Sequence, residues 1–111
     1  MSDNIRQHAF TKAMLAIYKR TLTETGYRAS LFHNMVSEQG GYQAAMTLIH
    51  ASRPSDGYTA LHKRQRLNLT VEALILRPEW SDIFTDEDRL AAHTRLTNYE
   101  FPFPADSWQP A

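Results

Sequence analysis

Residues 54–84 of the chain read PSDGYTALHKRQRLNLTVEALILRPEWSDIF. Ser55 and Thr70 each stand directly before a run of helix-forming residues, where a side-chain oxygen can accept a hydrogen bond from a free backbone N–H. The apolar run at residues 71–76 is compatible with a buried helix or a central strand, but no second strand pattern accompanies it. We therefore predict two short helices in this segment, the second of them deeply buried.

Apolar residues recur at three- and four-residue steps on both sides of this segment, which places them on one face of a helix. The pattern predicts a first helix over residues 4–23, closed near Gly26, whose backbone tolerates the left-handed conformation. It also predicts a helix pair over residues 29–39 and 42–52, separated by two glycines. A last helix is predicted over residues 86–98.

The last helix has the strongest start signal in the chain. Thr85 is followed three residues later by Asp88, the spacing of a capping box. The faces turned to the core are expected to include Ile5 in the first helix, Leu31 in the second and Leu90 in the last.

These elements predict an all-α fold. We expect a compact single-domain bundle of about five to six short helices over residues 1–100, with an extended C-terminal tail over residues 101–111. The tail contains three prolines and Trp108, which favours an extended strap over regular structure. It can either dock on the bundle or stay loose.

The composition is typical of an ordinary folded protein. Hydrophobic residues make up 42% and charged residues 22% of the 111 positions, close to globular averages. The chain has no cysteine, which excludes a secreted disulfide scaffold. No apolar run approaches the roughly 20 residues that cross a bilayer. We expect a cytoplasmic protein that does not enter a membrane.

The net charge of zero hides an uneven distribution. Residues 1–78 hold ten Lys and Arg against five Asp and Glu, whereas residues 79–111 hold two against seven. Either the acidic end folds back on the basic part or both are solvated faces.

No reaction centre is recognisable in the sequence. The five histidines are never three or four residues apart, which is the spacing of a helical metal pair. Glu79 and Asp82 could together bind a cation, but a solvated helix start is the favoured explanation. We expect no catalytic residue, no metal site and no cofactor, and therefore a protein that is not an enzyme.

The strongest binding signal is a cluster of basic residues around positions 62–66. Such a cluster can meet phosphates. The favoured alternatives are an ordinary exposed face and pairing with the acidic last helix. We predict that partner binding uses Arg53, Lys63, Arg64, Arg66 and the late aromatic Trp108. The expected function is a non-enzymatic module that docks on a protein or nucleoprotein partner.

Nucleic-acid binding by the 62–66 helix is the alternative. A sequence pI near 7.0 is lower than that of most dedicated nucleic-acid domains. The helix pair over residues 29–39 and 42–52 has the turn of a helix-turn-helix. Its second helix, however, offers only Gln43 to read a base edge before Arg53.

Several short motifs resemble a small helical module of bacterial genomes. They are ETGY at 24–27, MV at 35–36, GG at 40–41, PSDGYTAL at 54–61, RLNLTVEAL at 66–74 and RPEW at 77–80. The module is uncharacterised and occurs alone or attached to larger proteins, some of them nuclease-like. The resemblance implies a contact-making role in bacterial or phage defence or counter-defence, for example as an inhibitor or accessory of an immune effector, and implies no catalytic residue.

Overall fold

The structure is a computed structural model that describes residues 2–111, and within that range its regular secondary structure is all helical, without strands. The predicted all-α class is confirmed. The α-helices are α1 (Ser2–Thr25), α2 (Ser30–Gln39), α3 (Gly41–Ile49), α4 (Asp56–Lys63), α5 (Val71–Ile75) and α6 (Asp86–Asn98). Two 3₁₀ turns, Leu67–Leu69 and Pro78–Trp80, flank α5. No helix among these residues has the length and apolar character needed to span a membrane.

Helix α3 is the centre of the fold, because it contacts α1, α2, α5 and α6. Its first residue, Gly41, donates its backbone N–H to Thr11 Oγ1 of α1 at 2.9 Å. A Cβ atom at Gly41 would lie 2.6 Å from Thr11 Cα, which is too close for two carbon atoms. A glycine is therefore needed for the close approach of α1 and α3.

The predicted caps at Ser55 and Thr70 and the predicted stop near Gly26 are confirmed. Ser55 Oγ accepts from Tyr58 N at 3.1 Å, and Thr70 Oγ1 accepts from Ala73 N at 3.2 Å. Gly26, directly after α1, has a φ of 77°. Residues 71–75 form helix α5, which excludes the strand alternative for them.

The capping box at the start of α6 is complete. Thr85 Oγ1 accepts from Asp88 N at 3.1 Å, and Asp88 Oδ2 accepts from Thr85 N at 3.0 Å.

Three predictions about inward-facing residues are wrong. Ile5, Leu31 and Leu90 are 71%, 72% and 47% exposed. In α6 the inward face instead carries Asp88, Arg89, Ala92 and Leu96. Hydrogen bonds engage both polar side chains of this face: Asp88 pairs with His50 and Thr85, and Arg89 donates to Ser81 O and Asp86 Oδ1. The Nε atom of Arg89 is buried without a partner. The third helix also ends at Ile49, three residues before the predicted Ser52.

The C-terminal tail lies against the bundle without regular structure. The backbone N–H of Trp108 donates to Leu76 O at 2.9 Å. The ring of Phe103 stacks on His93 of α6 at 4.3 Å between centroids, and Phe101, Phe103 and Trp108 pack against the core. Of the two alternatives for the tail, the structure shows the docked one.

Candidate binding site

The predicted basic residues lie at the C-terminal end of α4 and in the turn that follows. Lys63 is exposed. Arg64 is also exposed, and its guanidinium lies over the ring of Tyr27 at 4.9 Å. This geometry is that of a cation–π contact, and it holds one cation of the cluster against an aromatic ring.

Arg66 is engaged within the protein. Its Nη2 donates to Glu24 Oε1 at the end of α1, and Arg20 donates to the other oxygen of the same carboxylate at 2.8 Å. Hydrogen bonds from Arg20 and Arg66 lower the pKa of Glu24 to about 2. The basic cluster thus pairs with α1, and among residues 2–111 none of its ion pairs reaches the acidic helix α6.

The acidic end of the chain nevertheless does fold back on the basic part at two other points. Arg6 Nε donates to Asp82 Oδ2 at 2.7 Å, and a second nitrogen of Arg6 donates to Glu79 O. The hydrogen bond from Arg6 lowers the pKa of Asp82. The Arg6 guanidinium therefore lies at Glu79 and Asp82, the pair that could bind a cation according to the sequence. Within residues 2–111 no group of three His, Asp or Glu side chains could hold a metal ion.

The second point joins His50, at the end of α3, to Asp88 of α6. His50 Nε2 lies 2.8 Å from Asp88 Oδ1. Burial of Asp88 works against ionisation, but hydrogen bonds from His50 and Thr85 outweigh it and lower the pKa of this carboxyl.

Arg53 and Trp108 do not share the contacts of the basic cluster. Arg53 is exposed in the segment between α3 and α4. Trp108 is half-buried in the tail, and its ring contacts His93 and lies 5.8 Å from the Arg89 guanidinium. The predicted residues are therefore distributed over at least two separate neighbourhoods.

A cavity of about 320 Å³ opens beside the basic cluster, between α1, α2, α4 and α5. Four aromatic side chains line it: Tyr18, Tyr27, Phe32 and Tyr58. Tyr27 connects the cavity with the basic cluster: it lines the cavity, and the Arg64 guanidinium lies over its ring. Sequence reasoning missed this cavity because it forms only when four helices that are distant in the chain come together.

One wall of the cavity contains Glu72, a carboxylate that is only 2% exposed. Arg95 of α6 donates to Glu72 Oε2 at 2.9 Å and to Leu48 O at 3.0 Å, and it also donates to Ala51 O. Burial raises the pKa of Glu72, and the hydrogen bond from Arg95 opposes this rise. In the sequence, this buried ion pair is indicated only by a glutamate inside the otherwise apolar run at residues 71–76.

Known protein families, curated proteins and solved structures offer no match to this chain.

Proposed function

We propose that this protein is a non-enzymatic module that docks on a protein partner through one face, which we call the α4 face. It consists of Tyr27, Arg28, Leu31, Lys63 and Arg64. The observation that carries the proposal is that the exposed Arg28 and Leu31 line an apolar cavity, while the exposed Arg64 lies on Tyr27, which also lines it. Protein interfaces combine an apolar centre with a polar rim in the same way.

The charge around this face favours an acidic partner. The face itself carries three cations, Arg28, Lys63 and Arg64, and no carboxylate. Nearby, Asp56 lines the cavity, and Glu24 is already paired with Arg20 and Arg66. Complementary charge accelerates association and selects among partners more than it adds affinity. The resemblance to modules attached to larger proteins supports the same role.

The test is co-purification of partners from cells that encode the protein, with a Lys63→Glu, Arg64→Glu double variant. Arg66 stays unchanged because its pair with Glu24 is internal. The matched control reverses two exposed lysines of α1, Lys12→Glu with Lys19→Glu. We expect a specific partner to bind the wild type and the control but not the double variant. A partner retained equally by all three proteins would rule out the α4 face.

Nucleic-acid binding by the same helix is the second candidate, and the stacking of Arg64 on Tyr27 favours it. It predicts binding of random single-stranded DNA or RNA at ~50 mM salt that weakens steeply as salt rises, since each phosphate contact releases counterions. Fluorescence anisotropy measures this directly. Absence of binding at low salt eliminates this candidate.

A further inference from the structure

We propose that the cavity between α1, α2, α4 and α5 is a binding site for a small, neutral, apolar molecule that donates one hydrogen bond to Glu72. The proposal goes beyond the docking function and requires none of the basic side chains of the α4 face. It rests on the size of the cavity, the chemistry of its walls and the partial pairing of one buried carboxylate.

The volume sets the size of the ligand. An apolar cavity of about 150 Å³ in a protein binds benzene. The cavity here measures about 320 Å³, so it matches a molecule roughly twice as large, such as a bicyclic aromatic. This volume also falls at the lower end of the range typical of small-molecule sites.

The walls are mainly apolar, and two of their hydroxyl groups are already engaged within the protein. The Tyr58 hydroxyl donates to Arg95 O at 3.3 Å. The Thr70 hydroxyl donates to Leu67 O at 2.7 Å and accepts from Ala73 N. Aliphatic side chains from α1, α2, α3 and the segment around α5 complete the lining: Ile17, Met35, Leu48, Leu69 and Val71.

Glu72 is the lining residue that is both charged and buried. Arg95 donates to its Oε2 atom, and the backbone N–H of Glu72 also supports the carboxylate. Because a carboxylate can accept about four hydrogen bonds through its two oxygens, capacity for a further donor remains. A buried acceptor with unused capacity is costly unless a donor reaches it. A ligand hydroxyl, amide or indole N–H in the cavity would supply that donor.

The ligand is neutral because the Arg95 guanidinium already balances the charge of Glu72. A cationic ligand would be buried next to a second cation, and an anionic ligand next to a carboxylate. Either would lose its hydration without gaining a free counter-charge.

The probe for the test is 2-naphthol, and its methyl ether keeps both rings but lacks the O–H. We expect the wild type to bind 2-naphthol at least tenfold more tightly than the ether, as measured by calorimetry. NMR shifts on titration are expected at Ile17, Met35 and Leu48. No binding of 2-naphthol, shifts confined to other parts of the protein, or equal affinity for both compounds would overturn the proposal.

Two variants fill the cavity from different sides. Ala29→Phe acts at the start of α2, and Gly57→Leu acts in α4, where an added Cβ meets only Ser55 Oγ, at 3.8 Å. The matched control is Ala16→Phe at an exposed position of α1. Thermal unfolding identifies which variants are folded. We expect each folded filling variant to lose affinity at least tenfold and the control to bind like the wild type. Wild-type affinity in a folded filling variant would refute the site.

Discussion

Replacement of Arg95 by methionine tests the buried ion pair that joins α5 to α6. The variant keeps much of the side-chain length but leaves Glu72 without its cation. The two side chains are only 12% and 3% exposed, so solvent screens the pair weakly. Breaking a buried pair by removal of one partner costs about 3–5 kcal/mol. We expect a loss of that order in the free energy of unfolding at pH 7, part of it from the carbonyls of Leu48 and Ala51.

The loss in the free energy of unfolding of Arg95→Met is expected to grow as the pH rises. Burial raises the pKa of Glu72, and removal of Arg95 removes a hydrogen bond that lowers it. The folded variant then holds a proton at pH values where the unfolded carboxyl, with a pKa of 4.5, is ionised. Stability of the variant therefore falls as pH rises above the unfolded pKa, by at most about 1.4 kcal/mol per pH unit. The deficit is expected to be smaller at pH 5 than at pH 7.

Urea unfolding followed by circular dichroism at both pH values measures the effect. The matched control is Arg53→Met, the same exchange at an exposed arginine, for which no change is expected. A double variant, Glu72→Met with Arg95→Met, removes both charges and should recover about 2 kcal/mol at pH 7. A loss below about 1 kcal/mol in Arg95→Met, equal at pH 5 and pH 7, would show that Glu72 is not a buried charge that Arg95 compensates.

Two further predictions concern packing. Gly41→Ala places a methyl group against the Thr11 backbone and should destabilise the protein by about 1–3 kcal/mol. Gly57→Ala in α4, where the added Cβ meets only Ser55 Oγ at 3.8 Å, should stabilise it by about 0.5–1 kcal/mol. A higher thermal stability of Gly41→Ala than of Gly57→Ala would contradict this packing. Trp108→Ala removes a half-buried ring that covers α6, with an expected loss of about 2 kcal/mol. Fluorescence of the remaining Trp80, buried in the core, should stay that of a buried indole, and a spectrum of exposed tryptophan would show that the tail supports the whole core.

The parts of the fold that sequence predicts well are those with local causes. Ser55, Thr70 and Thr85 cap helices through backbone groups three residues away, so the signal lies within one short stretch. The stop of α1 at Gly26 is local in the same sense.

The parts that sequence did not predict depend on contacts between distant segments. Leu31 has the correct spacing for an inward face, yet it lies at the rim of the cavity because α4 and α5 leave a gap there. Arg95, the partner of Glu72, lies 23 positions later in the sequence, and no periodic pattern relates the two residues. The basic cluster was visible in the sequence, but its neighbours Tyr27 and Glu24 were not.

The central position of α3 bears on how the protein opens and closes in solution. Since four other helices cover α3, we expect its amide hydrogens to exchange with deuterium only when the whole molecule unfolds. Helix α4 has its main contact with the short turn at residues 67–69, so its amides should exchange through local opening at much lower energy. Lys63 and Arg64, at the end of α4, would then belong to the most adaptable part of the molecule, supported by a rigid interior.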